Sequence, residues 1–113
     1  MANIVAATTG VLVNLLSGVT TGTSAVIAVP AKFWNHTFFI TGSSGISAGK
    51  VQIETSSLVN YSGTWFPIGS EQTLVASTQL VVTVAEVFLF FRARVTTDVV
   101  GGTVSVDYLG YPN

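Results

Sequence analysis

Glycine, serine, asparagine and proline cut this chain at short intervals, and the apolar runs between them alternate as strands do instead of repeating as helices do. Val11, Val13 and Leu15 alternate before Ser17-Gly18, and Ala25, Ile27 and Val29 before Pro30. Phe33 to Thr41 is rich in aromatic residues and ends at Gly42-Ser43-Ser44-Gly45. Lys50 to Thr55 alternates most clearly, with Val51, Ile53 and Thr55 on one face and Lys50, Gln52 and Glu54 on the other, which is expected to be wet. Thr64 to Ile68 carries Pro67, which has no N–H for a ladder and belongs at a sheet edge or a bulge. Glu71 to Ala76, Gln79 to Ala85, Val87 to Thr97 and Thr103 to Leu109 complete the set, and no segment has a sustained helical period with caps. About eight or nine strands predict an all-β fold, an antiparallel two-sheet β-sandwich of jelly-roll-like form.

The chain has 113 residues, the length of one domain, so residues 1–113 are read as a single sandwich with a candidate N-terminal arm at 1–17. No charged side chain precedes Lys32, yet the stretch lacks the basic start of a signal peptide and is broken by glycines and threonines. Leu74 to Phe91 is also strongly apolar, but Ser77, Thr78, Gln79, Thr83 and Glu86 interrupt it, so two strands are expected there and no membrane span.

Charged residues make up only 8% of the chain, and serine and threonine take over the work of wetting its surface. Four Lys+Arg against five Asp+Glu leave a net charge of −1, too little positive charge to neutralise several phosphates, so no nucleic-acid partner is expected. So weak a charge suits a surface that neighbours cover, and the chain is expected to assemble with copies of itself.

If Gly101-Gly102 is a two-residue hairpin turn, Val100 faces Thr103, Thr97 faces Val106, Val95 faces Tyr108 and Arg94 faces Leu109. Val95, Thr97, Val99, Val104, Val106 and Tyr108 then share one face, while Phe88, Phe90, Arg92, Arg94 and Asp107 share the other, with Arg94 and Asp107 in ion-pair reach. The second face calls for a covering layer, either another part of the same chain over a central strand or another subunit. Phe88, Phe90, Arg92 and Arg94, joined by Trp34 and His36 of the aromatic strand, are therefore the expected interface residues.

Catalytic apparatus is not visible in the sequence, and no enzymatic activity, cofactor or catalytic metal is expected. With no cysteine there is no thiolate zinc site, redox pair or cysteine nucleophile. His36 is the only histidine and has no carboxylate near it in sequence, which favours a hydrogen-bonded structural or interface role. Glu54, Glu71, Glu86, Asp98 and Asp107 are scattered without the spacing of an acid–base pair. Trp34, Tyr61, Trp65, Phe66 and Tyr111 offer flat faces of the kind that stack on sugars, but core and interface packing is the favoured account of them.

From Val51 to Tyr108 the layout resembles a known group. The runs Val51-Gln52-Ile53-Glu54, Asn60-Tyr61-Ser62-Gly63-Thr64-Trp65-Phe66-Pro67-Ile68-Gly69, Phe88-Leu89-Phe90-Phe91-Arg92-Ala93-Arg94-Val95-Thr96 and Gly101-Gly102-Thr103-Val104-Ser105-Val106 are similar in their order to small β-sandwich structural proteins of tailed bacteriophages. That resemblance covers about half the chain and implies a virion protein. The leading expectation is a capsid decoration (cement) protein on the capsid surface, a homotrimer bound to the phage major capsid protein. Alternatives are a minor tail or baseplate protein and a carbohydrate-binding or adhesin module. Asn60-Tyr61-Ser62-Gly63 stands where acidic residues are common in such proteins, which speaks against a calcium-like turn.

Overall fold

A computed structural model describes residues 11–112. It contains eight strands: β1 (Val11–Val19), β2 (Ile27–Ala28), β3 (Phe33–Gly42), β4 (Ala48–Ser56), β5 (Phe66–Thr73), β6 (Gln79–Val84), β7 (Phe90–Val100) and β8 (Val104–Pro112). They form two four-stranded sheets, ordered β1-β8-β3-β6 and β2-β7-β4-β5, with every pairing antiparallel. The pairs β1–β8, β2–β7, β3–β6 and β4–β5 are those of one long ribbon bent at the β4–β5 loop and wrapped on itself. The all-β, antiparallel two-sheet sandwich expected from the alternating runs is the fold observed.

Alternation builds the core as the pleat requires, one side chain in and the next out. Along β3, Phe33, His36, Phe38, Ile40 and Gly42 are buried while Trp34 points to solvent. Phe38 and Tyr108 from the first sheet meet Phe91 from the second with ring centroids 5.1–5.6 Å apart, and none of the three is exposed. Val51, Ile53, Ala93, Val104 and Val106 fill the layer around them. Aromatic contacts of this kind add to area burial and fix how the two sheets sit on each other.

The runs Thr64 to Ile68 and Glu71 to Ala76 are one edge strand, β5, whose register against β4 shifts between Val51 and Ile53, where Gly69 takes φ +67°. Pro67 sits on that edge, where its missing donor costs no ladder bond. Of the arm expected at 1–17, residues 11–17 belong to β1 and pair with β8; the remainder lies outside the described residues. The apolar run Leu74 to Phe91 divides into a turn, β6, a loop and the start of β7.

Gly101-Gly102 does not turn a hairpin. β7 and β8 lie in different sheets and do not pair, so the two glycines form an arch across the sandwich. Gly101 takes φ +87°, and an added Cβ would strike the carbonyl oxygen of Gly45, itself at φ +85°, in the β3–β4 turn. Ser43 ties the two turns together, its N–H donating to Thr103 O at 3.0 Å and its Oγ accepting from Thr103 N–H at 2.9 Å. Arg94 consequently does not face Asp107. Asp107 instead accepts from Asn14 Nδ2 at 2.8 Å on β1. Val95 and Val99 do face the core, but register shifts against β4 leave Thr97 exposed. Phe88 also changes sides: it precedes β7, and its ring packs inward, 5.6 Å from that of Phe91.

Candidate functional site

The two ends of the sandwich differ in chemistry. At one end the β3–β4 and β7–β8 turns interlock through Gly45, Gly101 and Ser43, and Ser77 of the β5–β6 turn donates its N–H to Ser43 O at 3.0 Å. That end is closed by backbone hydrogen bonds. The opposite end carries the β2–β3, β4–β5 and β6–β7 loops, and there large apolar side chains stand in solvent: Phe66 is 67% exposed, Leu58 61%, Trp34 48% and Leu89 41%.

Phe66 and Leu89 border a cleft of about 610 Å³ between the start of β5 and the β6–β7 loop, whose other walls are Ala31, Val87, Phe88 and the hydroxyl residues Thr55, Ser56 and Ser57. A second hollow shares Phe66, Val87 and Phe88 and adds Trp34 and Glu86, the one charged side chain lining either. On the other flank of Phe66, a third is bounded by Leu58, Tyr61 and Thr64. Phe66 stands exposed at the first position of edge strand β5, while a backbone bond from Val29 N–H to Leu89 O at 2.9 Å anchors the β6–β7 loop. The wall is therefore built on the sheet ends. An apolar cleft with few polar groups accepts the aliphatic or aromatic side chains of a partner and excludes water from them.

On the outer face of the second sheet, Glu54 is only 3% exposed. Arg92 Nε donates to its Oε1 at 2.8 Å, and Arg94 Nε and Nη2 donate to its Oε2 at 3.1 and 2.9 Å. The Arg92 guanidinium also lies 4.4 Å from the ring centre of Trp65, which is buried and donates its indole N–H to Tyr61 O at 2.9 Å. Hydrogen bonds to Glu54 push the Arg94 guanidinium above its ordinary value. The face expected to be wet is wet only at Lys50, whose ammonium lies 3.8 Å from Glu71. Gln52 is buried, with Nε2 3.0 Å from Ile53 O and 3.1 Å from Ile68 O. With its oxygens taken by two arginines, Glu54 acts as an electrostatic clasp between β4 and β7.

His36 lies inside, 1% exposed. Its Nε2 is 2.8 Å from the carbonyl oxygen of Glu86 and its Nδ1 is 2.6 Å from Tyr108 Oη. A carbonyl only accepts, so Nε2 carries the proton and the Tyr108 hydroxyl donates to the Nδ1 lone pair. Burial pushes the imidazole pKa below its usual value and the Tyr108 phenol above its own. The ring is a neutral structural strut that ties the β6–β7 loop to β3 and β8.

Of the six residues expected at an interface, Trp34 and Phe88 line the apolar end together, whereas Phe90 is half-buried on the outer face of β7. Arg92 and Arg94 belong to the Glu54 clasp, and His36 is internal. Phe66, Val87 and Leu89 were missed as a group. Phe66 next to Pro67 at an edge strand was the available signal, but the loop that joins it lies far along the chain. Among the aromatic residues with faces suited to sugars, Trp65 is buried and Tyr111 lines a separate hollow with Asn35 and Thr83. Among the described residues, no three of His, Asp and Glu come together as a metal site.

No protein-family description matches the chain, and no curated protein sequence does. Its fold is shared with solved structures at low sequence identity. The SPBc2 prophage-derived protein YomS is 16% identical with a TM-score of 0.56, covering 89% of this chain and 91% of that one. The K1 cleaved adhesin domain of Lys-gingipain from Porphyromonas gingivalis W83 is 14% identical with a TM-score of 0.58, covering 89% and 72%. A protein of Bacillus endospore appendages, a family of disulfide-linked pili, is 10% identical with a TM-score of 0.53, covering 91% and 86%.

Proposed function

We propose that this protein is a virion structural component of a tailed phage that works by docking its apolar end onto a neighbouring virion protein, with capsid decoration as the leading role. The observation that carries this reading is the asymmetry of the two ends. One is closed by interlocked turns, while the other presents Phe66, Trp34, Val87 and Leu89 around two adjoining open hollows. Exposing so much apolar surface at one place costs solubility unless something covers it. The internal hydrogen bonds of His36 and Glu54 fit a rigid part. The sequence resemblance to small phage sandwich proteins supports the virion setting, and a prophage-derived protein of the same fold agrees with it. Co-purification separates the roles: the decoration role requires the protein in tail-free heads, the minor tail or baseplate role in isolated tails.

Carbohydrate binding is the second reading, favoured by the exposed rings of Trp34 and Phe66 beside one cleft and by the adhesin domain that shares the fold. The hollow that both rings line offers Glu86 as its one polar side chain beside them, which ranks sugar binding below protein docking, because sugars need several hydrogen bonds as well as a flat face. A glycan array that captures the protein through Trp34 and Phe66 would reverse that order.

A further inference from the structure

Among the described residues each sheet ends in two edge strands, and three of the four carry a device that discourages further pairing. β2 is two residues long. β5 has Pro67, a register shift and the charge of Glu71. β1 slips register between Asn14 and Leu16 and again between Leu16 and Val19. β6 has none of these. It pairs with β3 in unbroken register from Gln79 to Val84, and no charged side chain lies between Glu71 and Glu86. Regular, neutral, β-branched edges are templates for another strand, which is why isolated proteins blunt them. On the inner side, Leu80, Val82 and Val84 touch the core yet stay only partly buried; on the outer side, Val81 is 53% exposed.

The geometry points to a second copy of this chain on that edge, joined antiparallel through β6 so that the two four-stranded sheets become one across a two-fold axis. The strand's own pattern makes it a suitable occupant. A register must pair inward residues with inward residues and outward with outward. With the axis beside Val81, Val81 meets its own copy, Leu80 meets Val82 and Gln79 meets Thr83. Aliphatic groups then oppose aliphatic groups, amide opposes hydroxyl, and no like charges are brought together. A charged strand would leave its charges against this neutral edge without partners. So short a pairing covers less than a standard interface, which makes the dimer weak in dilute solution and firmer where other contacts hold the copies in one array. The pairing is independent of what docks in the apolar cleft.

The chain has no cysteine, so single-cysteine variants report contacts without background. Under mild oxidation of the full chain, Val81→Cys forms covalent dimers with itself, and Gln79→Cys mixed with Thr83→Cys forms the mixed dimer. Thr73→Cys on the blunted β5 edge stays monomeric. In sedimentation equilibrium the wild type moves from monomer to dimer as concentration rises, and Val81→Lys, its fold checked by circular dichroism, shifts that transition to at least tenfold higher concentration. A wild type that is monomeric throughout with Val81→Cys no more reactive than Thr73→Cys overturns the proposal. So does a trimer, or a Val81→Cys that cross-links to a coat protein in assembled particles instead of to its own copy.

Discussion

Removing the Tyr108 hydroxyl isolates one buried interaction in this fold. Tyr108→Phe keeps the ring between Phe38 and Phe91 but takes away the donor 2.6 Å from His36 Nδ1, at a site with no access to water. Leaving a buried acceptor without a partner costs about 1–3 kcal/mol. For a domain of this size each kcal/mol lowers the melting temperature by roughly 4–8 °C. Replacing both partners is the control: His36→Phe/Tyr108→Phe leaves an all-aromatic cluster and frees a Glu86 carbonyl near the surface, so the double variant should lose about 0.5–3 kcal/mol less than the sum of the singles. The same pair sets a pH dependence. The folded-state pKa of His36 is lowered by burial, so below about pH 6.5 the unfolded chain binds a proton that the folded chain refuses. Stability is therefore complete above that pH and falls as the pH drops from there toward the lower folded value, by at most about 1.4 kcal/mol per pH unit from this group. Urea unfolding at pH 7.5 and pH 5.5 measures both effects. Additive single and double variants, or a Tyr108→Phe protein within about 0.5 kcal/mol of wild type, would refute the assigned network.

Other predictions concern the clasp, the arch and the apolar end. Glu54→Ala strands two neighbouring arginines; because Arg94 is nearly half exposed and can turn to solvent, the cost should be about 2–3 kcal/mol, below the 3–5 of a fully buried pair, as read by chemical denaturation. Arg94→Ala should cost less than Arg92→Ala, since Arg92 is less exposed and also stacks on Trp65. Gly101→Ala should lose about 1–3 kcal/mol from its backbone conformation alone, with a further loss from its encounter with Gly45, visible as a lower urea midpoint. Phe66→Ser and Leu89→Ser should leave stability within about 1 kcal/mol while sharply reducing binding of a hydrophobic dye, because both side chains stand in solvent.

Periodicity alone located nearly every strand, because a pleated chain must alternate to bury one face, and Pro67 marked its own edge through its missing N–H. What alternation does not carry is which strand lies beside which. Two consecutive glycines suit a hairpin and an arch equally, and the choice was made by Gly45 and Ser43, far back in the sequence. Glu54 was misread for a similar reason: Lys50, Gln52 and Glu54 share a face by parity, but its burial depends on Arg92, Arg94 and the nearby Trp65 ring. The apolar end gathers Trp34 and Phe66 from the starts of β3 and β5 and Leu89 from the β6–β7 loop, a grouping that exists only after the ribbon has wrapped.

Heads from which the protein has been depleted offer the most direct trial of docking through the apolar end. Their survival of heat or osmotic shock is measured alone, after adding back wild type, and after adding back Phe66→Ser/Leu89→Ser that has first been shown to fold. Wild type should restore resistance and the double variant should not. Heads equally robust with and without the protein, or restored equally by both forms, would contradict the account.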